Sequence, residues 1–234
     1  MPKAVRVLTY NIRHGVGTDN RLSLERIAWV IYSSGADICG IQEVDKWNPR
    51  SGMCNQAKRI AELCGMDYVF GPNIHLAGIA FYGTAVLSRW PIVDFCNYKL
   101  PGKGESRGLL KAEVKINDVK ISFFNTHLGL DQDSRIKQAK YIKEIIDIKE
   151  PVILTGDLNE QAGGKAVKIL LKDGFLKDCL PCKSRTVNTY PSHSPTEKID
   201  YILADKKWHV KWARVISSRA SDHLPYLAEL VLSG

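Results

Sequence analysis

The residues from Pro151 to Glu160, PVILTGDLNE, include two whose types and spacing suit a reaction: Asp157 and Asn159, at the end of an apolar run. Such a run reads as a buried strand. In extended backbone, residues two apart share a face while Leu158 points the other way. Gly156 permits close approach of another group just before the carboxylate. A carboxylate beside an amide can take a proton from water and hold a charged oxygen. Alone, Gly-Asp-x-Asn after a strand reads more readily as a turn. Recurrence changes that reading. VRVLTYN ends in Asn11, ICGIQE in Glu43 and ISFFNTH in His127; KIDYIL carries Asp200, and Asp222-His223 stands before the last apolar run, Leu227 to Leu232. Polar strand ends repeated in this way point to one pocket at a shared edge of stacked sheets.

The segments TYNIRHG, GADICGIQEVD, NTHLGLD, ILTGDLNE, EKIDYIL and SDHLPYLAEL resemble, in order, the motifs of the endonuclease/exonuclease/phosphatase superfamily, the metal-dependent hydrolases typified by deoxyribonuclease I. They run from Tyr10 to Leu230, nearly the whole chain. The resemblance implies a four-layer α-β-β-α sandwich of two packed mixed or antiparallel sheets with outer helices. It also implies a phosphoester hydrolase, a diesterase before a monoesterase, using Mg2+, with Mn2+ as a substitute, for in-line attack of water. By the same resemblance Asp157 orients or deprotonates that water, Asn159 holds a phosphoryl oxygen and His127 donates to the phosphate. Asp200 and His223 resemble the family's carboxylate–histidine pair. Asn11 falls beside the ion, as a ligand or as the group that orients Glu43. Whether Asp157 or His223 is the base stays open.

The residues themselves say which oxygens suit such an ion. Magnesium takes hard ligands, usually one or two carboxylates, with waters and substrate phosphate completing the octahedron. Glu43 follows apolar residues at a strand end, where an unpaired carboxylate is costly without a cation. Asp222 is a second candidate ligand, or else a turn acid before Pro225. Arg107, in Glu105-Ser106-Arg107-Gly108, can grip a phosphate bidentately or pair with Glu105. Arg13 and Arg135 are further substrate-binding candidates. Thr189-Tyr190-Pro191-Ser192 is similar to a segment of the small bacterial members and is a candidate pocket wall. Two departures leave the substrate class open. Arg13-His14 stands where abasic-site endonucleases carry an acidic-glycine pattern, and Thr84 stands where many relatives have asparagine.

Helices and strands must place these groups. Leu24, Ile27, Ala28 and Ile31 give one helical face closed by Gly35, and Ala57, Ile60, Ala61 and Cys64 another, capped by Asn55 and followed by Gly65. A third helix is expected over about 133–148, with Ile136, Ala139, Ile142 and Ile146 inward, and a fourth over about 163–173. From Tyr68 to Phe124 short β-branched and aromatic runs read as consecutive antiparallel strands, with Asn117-Asp118 as a hairpin turn. Further strands are expected at about 200–204, 209–216 and 225–232. Two packed sheets with helices outside accommodate this order.

Composition sets the outer bounds. A chain of 234 residues, 44% hydrophobic and 25% charged, excludes a disordered or fibrous class and is expected to form one domain, 1–234. No apolar run approaches membrane-spanning length and the first residues show no leader pattern, so a cytoplasmic protein with no transmembrane segment is expected. The net charge of +8 favours an anionic partner but does not choose among substrates; nucleic acid is the first substrate expected and a phospholipid or phosphoinositide headgroup the next. Lys165, Lys168 and Lys172 read as a solvated helix face. No protein partner is readable, and a monomer is expected. A catalytically silent phosphate-binding module is the alternative of another class. Cys179-Leu180-Pro181-Cys182 suggests a redox pair or half a zinc site, but no second pair completes four ligands. Gly15-x-Gly17 lacks the third glycine of a dinucleotide loop.

Overall fold

Alternating burial along the strands divides the chain between two sheets. The computed structural model describes residues 4–76, 78–146, 149–180 and 188–233. One sheet contains β1 (Ala4–Asn11), β2 (Ile38–Lys46), β3 (Asp67–Leu76), β4 (Ala80–Ser88), β11 (Trp208–Val215) and β12 (Tyr226–Leu232), in the order β11-β12-β1-β2-β4-β3. The other contains β5 (Ile92–Leu100), β6 (Arg107–Ile116), β7 (Val119–His127), β8 (Val152–Asp157), β9 (Leu176–Asp178) and β10 (Asp200–Asp205), in the order β5-β6-β7-β8-β10-β9. Four helices connect them: α1 (Leu24–Ser34), α2 (Gln56–Cys64), α3 (Gln132–Ile145) and α4 (Lys165–Leu171).

The sheets share a plan. In each, one central pair is parallel, β1 with β2 and β7 with β8, and a helix, α1 or α3, makes the crossover; the other pairings are antiparallel. Strands that run parallel end on the same side, and an antiparallel neighbour begins there. Asn11, Glu43, His127 and Asp157 therefore lie near the ends of β1, β2, β7 and β8, while Asp200 opens β10 directly opposite Asp157. Arg107 opens β6 beside the end of β7, and Asp222-His223 precede β12 beside the end of β1.

Three apolar layers hold this arrangement. Val7, Ile38, Val86, Leu110, Phe123, Ile153, Ile202 and Leu230 fill the space between the sheets. Leu8, Ile27, Ile31, Ile41 and Ile60 pack α1 and α2 on one outer face, and Phe124, Ala139, Ile142, Leu154 and Leu170 pack α3 and α4 on the other. The four-layer α-β-β-α sandwich is thus the observed fold. Nearer the polar strand ends the filling between the sheets changes to hydrogen-bonded side chains. Asn125 Nδ2 donates to the Ile41 and Ala85 carbonyls at 2.9 Å, and Gln42 Nε2 donates to Asn125 Oδ1 at 2.7 Å. A Cβ on Gly40 would sit 2.1 Å from Thr155 Oγ1, so only glycine lets the sheets close here.

Local signals act as the sequence suggests. Ser23 caps α1 by accepting from Arg26 N, Asn55 caps α2 and Asp131 caps α3, while Gly35 and Gly65 end α1 and α2 at φ 69° and 62°. Asn117, at φ 54°, turns the β6–β7 hairpin. Other expectations are corrected. The antiparallel run from Tyr68 to Phe124 is split, since β3 and β4 join the first sheet and Arg89 to Pro91 carries the chain across to the second. Ile136 is half-buried, because Ser134, Gln138, Ala139 and Ile142 make the inward face of α3; Ile148 lies outside the described residues. β9 occupies a stretch read as loop, pairing with β10 over Leu176 to Asp178. No helix among the described residues is long and apolar enough to cross a membrane.

Candidate active site

At the shared edge, a cavity of about 370 Å³ is lined by Glu43, Arg107, His127, Asp157, Asn159, Asp222 and His223 among others. Its geometry begins in two backbone distortions. The β2–β4 register shifts between Ile41 and Val44, and Glu43 adopts φ 59°, a left-handed conformation costing roughly 1–2 kcal/mol for such a residue. That bulge lets consecutive side chains part company: Gln42 enters the polar layer between the sheets, and Glu43 lines the cavity. Gly156 lies so close to β7 that a Cβ would be 2.3 Å from Thr126 O. Asn159 follows at φ 48°, tolerable for asparagine.

Buried Asn11 joins the two sheets. Its amide Nδ2 donates to Glu43 Oε1 at 3.0 Å and to Asp157 Oδ2 at 3.1 Å, and its Oδ1 accepts Arg13 N at 3.1 Å. Its amide nitrogen is thus turned to the two carboxylates and orients Glu43. Glu43 has no ion pair among the described residues, only this amide. Asp222 borders the same cavity and faces Arg13 Nε at 3.7 Å. Two hard carboxylates without a full counter-charge, on the rim of one cavity, fit a magnesium-type ion.

The second crossing between sheets is His223 Nδ1 to Asp200 Oδ2, 3.0 Å, with both residues buried. Burial opposes charge on the imidazole, but the charge and hydrogen bond of Asp200, with Asp157 and Asp222, outweigh it and push His223 up to about 10. Asp157 lies 3.7 Å from His223 Nε2; burial and then the Asp200 charge push its carboxyl up to about 7. Asp157, Asp200 and His223 bring one potential ligand atom each within 4.8 Å of one another. A cationic imidazole has no free lone pair for a metal, so this trio suits an ion pair better.

His127 is the opposite case. Burial, then the Arg107 and His223 charges, hold it well below the usual histidine range, so it is neutral. Its Nε2 lies 3.0 Å from Asn159 Nδ2, which also donates to Leu128 O at 2.9 Å. The amide hydrogens of Asn159 thus hold His127 and the end of β7. Asn159 N also donates to Asp157 Oδ1 at 2.9 Å, which holds the carboxylate in place.

The arginines divide. Arg107 is buried, lines the cavity and pairs through Nη1 with Glu105 Oε1 at 2.8 Å, so it satisfies the pairing and keeps access to the site. Arg13 reaches the site only through Asp222 and is not among the lining residues. Arg135 is not brought in. Its Nε pairs with Glu160 Oε1 at 3.3 Å, and Glu160 Oε2 accepts from Ala166 N and Val167 N, capping α4. Thr84 is buried away from the cavity. Tyr190 does form pocket wall, its ring 4.8 Å from that of His223. Tyr82, Leu130, Glu197 and Ile199 also line the site and are not singled out by type, though Leu130 stands inside NTHLGLD and Glu197 and Ile199 inside EKIDYIL. Cys179 is buried and burial holds its thiol protonated, unsuited to redox nucleophilic chemistry; Cys182 lies outside the described residues.

His223 yields a direct measurement. Its folded-state value exceeds the ordinary 6.5, so its stabilising contribution is full below pH 6.5 and is lost as pH rises through about 10. In chelated protein the His223 ring should remain doubly protonated at pH 8 by nitrogen-15 NMR, and Asp200→Asn should make it titrate at lower pH. A neutral His223 at pH 7 in the unsubstituted protein would refute the ion pair.

Comparison with known proteins agrees with this fold. A structure from Beutenbergia cavernae described as an endonuclease/exonuclease/phosphatase superposes with a TM-score of 0.85 at 22% identity, covering 99% of this chain and 72% of that one. A mannosyl-6-phosphatase of Bacteroides thetaiotaomicron superposes with a TM-score of 0.79 at 24% identity, covering 97% and 100%. Protein cwh43 of Schizosaccharomyces pombe is 24% identical over 193 residues, which are 79% of this chain and 19% of that protein, so the chain spans about a fifth of that relative's length. Residues 8–223 match the sequence profile of the Endonuclease/Exonuclease/phosphatase family, so the chain, with its two-sheet sandwich, belongs to that family.

Proposed function

We propose that the protein hydrolyses phosphoesters with a divalent ion, magnesium or manganese, held by Glu43 and Asp222. The carrying observation is the pair of carboxylates on the cavity rim, one on a left-handed bulge, with the Asp157 and Asp200–His223 cluster beside them. Bound there, the ion would supply Lewis-acid stabilisation of phosphoryl oxygen. The remaining steps belong to the protein. Asp157, oriented by Asn11 Nδ2 and Asn159 N, takes the proton of the attacking water. His223 is cationic, so it is the wrong form for a base; it contacts the developing phosphoryl charge through Nε2, while Asp200 holds Nδ1. Arg107 offers a second cationic contact from the opposite sheet. Asn11 and Asn159 position.

Net charge does not choose among phosphate-bearing substrates; the lining of the cavity bears on the choice directly. The cavity itself carries Glu43, Glu105, Asp157, Glu197 and Asp222 against Arg107 and two histidines, so the basic surplus lies elsewhere on the surface. A compact phosphate ester fits that lining better than a long polyanion does. The phosphatase named among the similar structures favours the same side of the choice.

The test is hydrolysis of p-nitrophenyl phosphate and bis-p-nitrophenyl phosphate with and without chelator. EDTA should remove most of the activity and magnesium or manganese should restore it. Full turnover in protein shown by elemental analysis to be metal-free would reject the proposal, and absence of turnover on any phosphoester with either metal would favour the silent phosphate-binding module.

A further inference from the structure

The cavity contains groups that the hydrolytic step does not use: Tyr82, Leu130, Tyr190, Glu197 and Ile199. Among them Glu197 is unusual for a phosphate site. Its backbone is fixed, since Glu197 N donates to Tyr190 O at 2.9 Å, and its carbonyl accepts from Thr189 N at 2.7 Å and Tyr190 N at 3.0 Å. Tyr190 and Glu197 are thus direct partners in an isolated antiparallel bridge, which sends their side chains to one side as close neighbours. Both line the cavity. The Tyr190 ring lies against His223, tying this wall to the charged pair that faces the phosphate.

Glu105 on the same lining is neutralised by Arg107. Glu197 has no ion-pair partner among the described residues, and it shares the cavity lining with Glu43 and Asp222, the carboxylates proposed for the ion. A carboxylate left unpaired on such a wall has two consequences. It repels a second phosphate, which disfavours a polyanionic strand. It also accepts charge-assisted hydrogen bonds from neutral hydroxyls, the strongest contact an uncharged donor can make there. Tyr190 and Tyr82 add flat apolar faces and phenol groups that both donate and accept.

Resting on the phosphoester-hydrolase reading above, we infer that Glu197 and Tyr190 form a subsite for a polyhydroxylated ring, a sugar or a cyclitol, that carries the scissile phosphate. Several hydroxyls on such a ring give Glu197 donors to accept from, and its C–H face suits the tyrosine rings. The same ring can arrive as a free phosphate ester or as the headgroup of a glycerophospholipid.

The experiment compares kcat/KM with magnesium for glucose 6-phosphate, myo-inositol 1-phosphate and glycerophosphoinositol with that for p-nitrophenyl phosphate, bis-p-nitrophenyl phosphate and a short oligonucleotide. Glu197→Ala should lower the ratio of the best hydroxylated substrate to the best nitrophenyl ester by about 10- to 100-fold, because a hydroxyl-binding contact discriminates through the hydrogen bonds it makes. Glu197→Gln, which keeps an acceptor oxygen, should fall between the two. The glycerophosphoinositol arm separates headgroup from free ester. An unchanged ratio in both variants, with the nitrophenyl esters still hydrolysed, would overturn the subsite and leave the hydrolase reading standing. Preference of the unsubstituted protein for the oligonucleotide would overturn it as well. Failure to hydrolyse any of the six with metal would remove both.

Discussion

Asp157→Asn should lower the single-turnover rate by about 10³-fold, within the range of positioned proton transfer, while leaving the thermal midpoint within a few degrees. Asparagine has the same shape and still offers an oxygen to Asn11 Nδ2, so the hydrogen bond between the sheets can survive. It cannot take a proton. Loss of chemistry with retention of fold is the expected signature of a base. The pH profile adds a second check. Without metal the carboxyl lies at about 7 because burial, then the Asp200 charge, favours the protonated form; a cation held beside Glu43 favours the carboxylate and moves the value down. The rate of the unsubstituted enzyme should therefore fall on the acid side, below neutrality, as Asp157 gains its proton, and that acid limb should be missing from the variant. A residual rate within tenfold of the parent would assign the proton to another group.

Asp200→Asn and His223→Ala should each lower kcat by about 10²-fold or more, and the double variant should be scarcely worse than His223→Ala alone. The 3.0 Å contact between His223 Nδ1 and Asp200 Oδ2 makes them one unit, so once the imidazole is absent Asp200 has nothing to hold. Asparagine is the right replacement, since it keeps an oxygen for His223 Nδ1, whereas an empty position would leave that buried nitrogen with neither a hydrogen-bond partner nor a counter-charge. Single-turnover rates at saturating magnesium for the four proteins decide the point. Losses that multiply would show two independent contacts and would contradict the shared role.

Much of this was legible in the chain, for identifiable reasons. Asn11, Glu43, His127 and Asp157 were readable because each closes an apolar run, although Glu43 sits at a bulge inside β2, which continues to Lys46. Caps at Asn55, Gly35 and Gly65 were readable because they are set within a few residues. What depends on distant partners was hidden. Arg135 has the composition of a phosphate ligand, yet Glu160, 25 residues on, engages it and caps α4. The spacing of Asn11 and Asn159 from Asp157 suggested polar neighbours, but which way each amide faces depends on Arg13 N and on His127, which no spacing reveals. Glu197 was overshadowed by Asp200 in the same motif, and its exposure to the cavity follows from a bridge to Tyr190 across a loop. Gln42 and Asn125, polar residues inside apolar strands, gave no sign that they meet across the sandwich.

Two of the hydrogen bonds that cross between the sheets, from Asn11 to Asp157 and between His223 and Asp200, have a bearing on how the chain matures. Each sheet brings only half of the reacting groups. A folding intermediate with one sheet formed, or with both formed but not yet closed on each other, has no partially competent centre, because Asp157 and Asp200 meet His223 and the carboxylates proposed for the ion only across the seam. Hydrolytic competence should therefore appear in a single step with closure of the sandwich. The tight fit of Gly40 against Thr155 lies along the same seam, so the final approach of the sheets is also what brings the reacting groups together.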